Sequence, residues 1–261
     1  MRGVPRRDIT LEPAATTPLW YSFFLVELQQ VMRTTPATRE FTDDPLPEHV
    51  LYEILDHARF APNGGNRQAW HVIVVRDEEI KQQLAQLWRL AQREDHAFYA
   101  AGQVPFVASE AYWRNPPGGP SDQPAYLEAA RLETPPGELD GMPLSIARAP
   151  AVLLVTLDLR RVTAMDSGLG RLSISAGASV YPFAHNILLA ARDKGFGGVV
   201  TSVLVRQEPA VKALLGIPHA YVLACTIPLG KPKTEITRLR RRPVDEFATV
   251  DHFSGPAFTR P

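Results

Sequence analysis

Apolar residues recur along this chain with two different periods, and each change of period marks an element. From 23 to 33, Phe24, Leu25, Leu28, Val31 and Met32 return at helical spacing and predict a first amphipathic helix. PLPEHVLYEILDHARFAP repeats the pattern more strongly. There Val50, Leu51, Ile54, Leu55 and Ala58 share one face, Pro47 suits the first helical turn, and Pro62 stops the run. The run WHVIVVR is short and rich in β-branched residues, which predicts a buried strand. EEIKQQLAQLWRLAQRE restores helical spacing, with Ile80, Leu84, Leu87 and Ala91 inward.

Between about 98 and 150 the periodicity dissolves into Gly- and Pro-rich text, NPPGGPSDQP and TPPGELDGMP, with AYLEAARLE as one short helical candidate. An irregular excursion of this length is expected to be a lid, a binding loop or a disordered segment. Order returns with the strand pattern AVLLVTL. SAGASVYPFAHNILLAARDKG then predicts a long helix, apolar nearly all round, which Gly195 ends. GFGG follows as a loop, VVTSVLV as a strand, EPAVKALLGI as a helix and YVLACTIPLG as a last strand. The basic tail KPKTEITRLRRRPVDEF reads as extended. Helices and strands interleave without tidy repeated βα units, so the class expected is α+β rather than a doubly wound sheet.

Composition narrows the possibilities. At 261 residues and 45% hydrophobic content the chain can bury a real core, read here as one large domain. Lys and Arg number 28 against 28 Asp and Glu, so no net field recruits polyanions, and nucleic acid is not an expected partner. No run of about 18 apolar residues exists and the N-terminus has no continuous apolar segment, so the expectation is a soluble cytoplasmic protein without a membrane partner. The single cysteine, Cys225 in YVLACTI, reads as a small buried hydrophobe and permits no disulfide within one chain.

Several chemistries are set aside on spacing. GFGG lacks the third Gly of a dinucleotide fingerprint, since Val200 stands there, and it precedes a strand instead of following one. In LSISAG, Ser173 replaces the first Gly that a nucleophile elbow around Ser175 requires. The seven His never occur as HxxxH, so no metal is expected, and His57, His71 and His185 read as surface or satisfied core residues.

Three polar clusters remain. One is Arg33-Thr34-Thr35-Pro36-Ala37-Thr38-Arg39. The second is the loop APNGGNRQAW, 61–70, and the third is Arg238, Arg240, Arg241 and Arg242 in the tail. Forked guanidinium donors match phosphate oxygens, so Arg39 with a tail arginine suits a clamp on one phosphate. Asn and Gln carry both donors and acceptors, as the edge of a flavin pyrimidine does, and Gly64 and Gly65 let backbone approach a ring. Each cluster also has a plain reading, as solvated arginines or as a helix stop followed by a turn.

On these residues the chain resembles the FMN-dependent nitroreductase family, from about 24 to 247. Arg39-Glu40-Phe41 and Pro45-Leu46-Pro47 resemble the family's opening Arg-x-Phe and Pro-x-Pro. Ala58-Arg59-Phe60-Ala61-Pro62-Asn63-Gly64-Gly65-Asn66-Arg67-Gln68-Ala69-Trp70 is similar to its Ala-Arg-x-Ala-Pro-Ser-x-x-Asn-x-Gln-Pro-Trp motif. Gly195-Phe196-Gly197-Gly198, Leu215-Gly216-Ile217-Pro218, Leu229-Gly230-Lys231-Pro232 and the run Arg240, Arg242, Pro243, Glu246 match later family landmarks.

The resemblance implies a nitroreductase-like α+β fold, with a central, mostly antiparallel sheet flanked by helices, in an intertwined homodimer. The domain would span 23–247 with a lid at about 98–150, an N-terminal extension 1–22 and a C-terminal tail 248–261. It also implies an FMN cofactor. Arg39 with Arg240 and Arg242 would grip the phosphate, with Arg33 a further candidate. Pro62, Asn63 and Gly64 would line the ring edge, Asn66 and Gln68 would bind ribityl or pyrimidine oxygens, and Gly197, Gly198 and Thr201 would approach the isoalloxazine. A hydride would pass from NAD(P)H to the flavin, the nicotinamide would leave, and the reduced flavin would reduce a nitroaromatic, quinone or similar small molecule. No side chain is needed as acid, base or nucleophile.

The helix over 176–191 would supply dimer contact. Phe98, Tyr99, Phe106, Tyr112 and Trp113 would be available to stack on an acceptor. Two departures stand out. Thr35, Pro36 and Ala37 replace the family's Arg-Arg-Ser and remove positive charge, and Asn63 replaces a Ser. The alternatives within the resemblance are a non-catalytic flavin-sequestering protein, or a dehalogenating, flavin-fragmenting or deazaflavin-dependent relative.

Overall fold

Strand β2 (Ala151–Asp158) is buried at every residue, and the other elements are arranged around it. The computed structural model describes residues 27–100, 139–169 and 173–260. In chain order these form α1 (Leu28–Thr34), α2 (Glu48–Ala58), β1 (Trp70–Val75), α3 (Glu78–Ala100), α4 (Gly141–Arg148), β2, α5 (Tyr181–Asp193), β3 (Gly197–Gly198), α6 (Glu208–Leu215) and β4 (Tyr221–Gly230). The sheet order is β1-β2-β4-β3, with every neighbouring pair antiparallel. No helix among the described residues is long and apolar enough to cross a membrane.

A strand buried on both faces shows no alternation in its sequence, but packing reveals it. Ala151, Leu153, Val155 and Leu157 enter one core with Ile54 and Ala58 of α2 and Phe183, Ala184 and Ile187 of α5. Val152 and Leu154 enter a second core with Leu84 and Trp88 of α3, Ile146 of α4 and Val211 of α6. The sheet is thus the middle of three layers.

β4 serves both cores through a bulge. Val155 pairs with Cys225 but Thr156 pairs with Leu223, leaving Ala224 as the extra residue. The side-chain parity flips there. Cys225, Ile227 and Leu229 face the first core on one side of the bulge, whereas Val222 reaches it on the other.

The expected strand VVTSVLV is not formed, and Pro228 explains why. Gly197 pairs with Gly230 and Gly198 with Leu229. The same register continues to Thr201 and Thr226, which exchange both backbone hydrogen bonds at 3.0 and 2.8 Å. Residue 199 therefore falls opposite Pro228, which has no N–H for the ladder. The strand is interrupted at that point, and 203–207 turns into a 3-10 helix.

Other elements differ from the sequence expectation in instructive ways. The long apolar helix is divided: 175–179 forms a 3-10 turn, and α5 begins at Tyr181 with Pro182 in its first turn. β1 lies at the sheet's edge, so only Val75 of the expected buried strand is fully buried. α3 runs on to Ala100, and α4 occupies the end of the expected lid with Pro143, Ile146 and Ala147 buried. AYLEAARLE, Phe24, Leu25, Phe106, Tyr112, Trp113 and the side chains of Phe98 and Tyr99 lie outside the described residues.

Two outcomes test this packing. Burial pushes the Cys225 thiol up to about 12, so it is expected to stay unreactive to a disulfide-exchange reagent in the native protein and to titrate as one thiol after unfolding. At the end of β2, Arg160 donates to both carboxylate oxygens of Asp158 at 2.8 Å. Those hydrogen bonds hold the carboxyl at about 2, below its ordinary 3.8. A depressed folded value stabilises above the unfolded one and is lost as pH falls through the folded one. Asp158→Asn should therefore lose less stability than the parent between pH 3.8 and about 2, measured by urea unfolding.

Candidate functional site

The 35–42 segment is placed by the open edge of β3. Gly198 pairs with Leu229 at a position lying between the exchanged pairs, which leaves its carbonyl pointing away from β4. Thr38 N–H takes that carbonyl at 2.9 Å, Thr42 N–H donates to Lys231 O at 2.9 Å, and Lys233 N–H donates to Glu40 O at 3.1 Å. Phe41, buried beside Pro150 and Gly230, pins the strip to the sheet. Arg39 is consequently fixed beside Gly197 and Gly198. Its side chain is exposed, and Nη1 donates to Ala37 O at 3.3 Å.

Gly197 is a glycine because of this stitching, and Gly198 because of its packing on β4 and α5. A Cβ on Gly197 would lie 2.6 Å from Thr38 Oγ1, and one on Gly198 would lie 2.5 Å from Pro228 O. Both glycines are buried, Gly197 under Thr38 and Pro232 and Gly198 against Pro228, Leu229 and Leu188. Thr201 lies further along the same edge, half-buried.

The loop between α2 and β1 is held by its own amides. Asn63 Oδ1 accepts from Gln68 N–H at 2.8 Å, and Asn63 Nδ2 donates to Ala61 O at 3.3 Å. Gln68 Nε2 donates to Asn66 Oδ1 at 3.3 Å. Gly65, Asn66 and Gln68 have φ of 61°, 50° and 48°, left-handed values that Gly and Asn accept most readily. Gly64 N–H donates to Ser179 Oγ at 3.2 Å, and its Cβ position is closed by Thr163 at 3.1 Å. Asn63 is thus a loop clamp whose two polar ends are engaged, while Asn66 and Gln68 are exposed and Pro62 stands at the surface.

The two clusters do not meet within one chain. Ser179 precedes α5 and Gly197 follows it, and a 13-residue helix spans roughly 20 Å. The tail is a third component. Arg240 and Arg242 are exposed, Arg241 Nη1 donates to Arg240 O at 2.7 Å, and an open cavity of about 700 Å³ is lined by Arg238, Leu239, Arg240 and Arg241. Among the described residues, Arg33, Arg39, Arg240 and Arg242 have no carboxylate within ion-pair distance. No group of three or more His, Cys, Asp or Glu among the described residues is arranged to hold a metal.

Sequence reasoning passed over Ser179 and Thr163, and took Thr38 only as part of the basic cluster. Thr38 fills the space above Gly197, and Ser179 and Thr163 seat Gly64. Their signal is weak, a small hydroxyl residue near a glycine with no local motif.

A sheet with helical layers on both faces defines an α+β fold, with a polar loop at one end of α5 and the exposed Arg39 on the strip near the other. Residues 32–231 match the model of the nitroreductase family, and the chain belongs to that family. It is similar to nitrobenzene nitroreductase of Ectopseudomonas oleovorans, 24% identical over 86% of this chain and 97% of the relative. It is also similar to 5,6-dimethylbenzimidazole synthase of Rhodobacter capsulatus, 28% identical over 82% of this chain and 88% of the relative. Among solved structures, the NADPH:FMN oxidoreductase from Vibrio harveyi complexed with NAD+ superposes with a TM-score of 0.59 at 17% identity, covering 87% of this chain and 77% of that one. The nitroreductase-like fold expected from the sequence is the fold observed.

The edge packing predicts a ranking. Gly198→Ala sets a methyl against backbone, which cannot rotate away, and should cost about 1–3 kcal/mol in unfolding free energy. Gly197→Ala should cost less, because Thr38 presents a side chain that can turn. Equilibrium denaturation of the two variants measures the order.

Proposed function

We propose that this protein is an FMN-dependent oxidoreductase that passes a hydride from NAD(P)H by way of the flavin to a nitroaromatic, quinone or similar small acceptor. The observation that carries the reading is the strip 38–42, which fixes the unpaired Arg39 beside the backbone of Gly197 and Gly198. A phosphate there would find the exposed Arg39 guanidinium, which among the described residues has no carboxylate within ion-pair distance. The residues present therefore fit the cofactor.

Bound FMN would supply two-electron chemistry that no side chain of this chain provides. The protein's own part is to bind and orient. Arg39, with Arg240 and Arg242, would neutralise the phosphate, with Arg33 near enough in sequence to add to the field. The exposed Asn66 and Gln68 would hydrogen-bond ribityl or pyrimidine oxygens, beside Pro62, Asn63 and Gly64 at the ring edge. Gly197, Gly198 and Thr201 would present backbone to the other side.

A homodimer accounts for the two clusters at opposite ends of α5, because a second copy brings the loop of one chain to the edge of the other. Large apolar side chains left exposed in the single chain, Met32 at 59%, Phe60 at 70% and Phe247 at 61%, are consistent with such a contact. No helix for membrane insertion is present among the described residues, in keeping with an enzyme acting on small molecules in the cytoplasm.

The test is the absorption spectrum of the purified protein after FMN addition and desalting, followed by NAD(P)H oxidation with a nitroaromatic or quinone. About one flavin per chain and acceptor-dependent turnover are expected. Retained flavin with no turnover from either nucleotide would favour a sequestering role, for which the uncharged 35–37 stretch is the structural motive. Absence of retained flavin would overturn the cofactor assignment. Arg39→Ala should weaken FMN binding by about tenfold, the loss of one charge-assisted contact, with little change in thermal stability.

A further inference from the structure

Two of the contacts that hold the strip carrying Arg39 lie at the C-terminal end of α5. Thr38 is one, over Gly197 and Gly198. Thr34 is the other. Buried at 8% exposure, it ends α1, its hydroxyl donates to Gln30 O at 2.8 Å, and it accepts from Arg192 Nε at 3.3 Å. Arg192 sits on the last turn of α5 and is half-buried.

Residues 35–37, between the anchors, carry no positive charge. Arg192 reaches across from α5 to the start of this stretch, and Nε is its one described side-chain hydrogen-bond donor. Among the described residues neither terminal nitrogen of the guanidinium has a partner, and neither is sealed from solvent. The nearest acid in sequence, Asp193, is not ion-paired with it. The flanking cations, Arg33 and Arg39, are exposed and likewise unpaired. Three guanidiniums therefore belong to one short strip and the helix end beneath it, and Thr34 sets the direction of one of them. Like charges gathered in one place repel one another, and a dianion relieves that repulsion.

Resting on the FMN reading above, we propose that Arg192 is a ligand of the flavin phosphate, supplying from α5 the positive charge that residues 35–37 lack. Thr34 is then a positioning residue: by occupying Nε it leaves the two terminal nitrogens as a fork for phosphate oxygens. The competing account is that Arg192 only offsets the partial negative charge at the C-terminus of α5. The two accounts differ in what the arginine senses, a phosphate or the helix.

FMN and riboflavin differ only in that phosphate, so the test is the dissociation constant of each, measured by quenching of flavin fluorescence on the apoprotein. For Arg192→Ala, FMN affinity should fall about tenfold and riboflavin affinity should hold. Arg192→Lys should recover part of the loss, since it restores charge without the fork. Thr34→Val should lower FMN affinity by a smaller factor, again sparing riboflavin. Equal weakening of both flavins, or no change in either, in the Lys and Ala variants would overturn the proposal and leave the helix-end role. If Arg192→Ala does not fold, the Lys and Thr34→Val ratios decide alone. The underlying reading has its own control: a parent protein that binds neither flavin, or binds both alike while Arg39→Ala changes nothing, refutes the FMN site itself.

Discussion

Strand β4 has to satisfy two cores and two neighbouring strands at once, and a regular strand of this sequence cannot do so. It gives way at Ala224 and at Pro228. The bulge at Ala224 exchanges which side chains face which helical layer, so that Val222 and Cys225 reach the same core although three positions apart. Pro228 withholds one ladder bond and ends β3 after two residues. At the other end of β3 the partner changes: past Gly230 the chain pairs with Glu40, Phe41 and Thr42, and Thr38 holds Gly198, so the strip that carries Arg39 continues the sheet there. The position of the candidate phosphate site is thus a consequence of backbone arithmetic within the sheet.

Much of this architecture was legible in the order of residues, for identifiable reasons. α2, α6, β2 and β4 stand where periodicity and the apolar runs put them, because each has a face or a length that only one element type satisfies. The strand expected over VVTSVLV was misplaced because its fate is decided by a proline some 29 residues later in the chain, a long-range pairing that no local window contains. The bulge was equally hidden, since YVLACTIPLG is apolar at nearly every position and so has no period to read. The division before α5 had a visible cause in Pro182, masked by the unbroken apolar run around it.

The site was partly legible in a different sense. Residue types in the APNGGNRQAW loop and the arginine clusters pointed to a flat phosphorylated ligand, and the match over 32–231 shows the family. The sequence could not say that Asn63 is occupied in holding Gln68 or that Gly64 is seated on Ser179. It also could not separate the clusters. Only the length of α5 shows that the loop and the glycine edge stand at opposite ends of one helix, so that any ligand needing both must be long or be shared between two copies.

The strip over β3 has one more consequence, for solution behaviour. An uncovered strand edge offers unpaired carbonyls and N–H groups to any passing chain and is a template for intermolecular pairing. Thr38 N–H takes the outward carbonyl of β3 at Gly198, while Glu40 and Thr42 pair with Lys233 and Lys231 just past the end of β4. The segment that presents Arg39 is therefore also a guard strand, and a chain shortened past it would expose adhesive backbone as well as lose Arg39. Selection for solubility and selection for ligand binding would act on the same five residues.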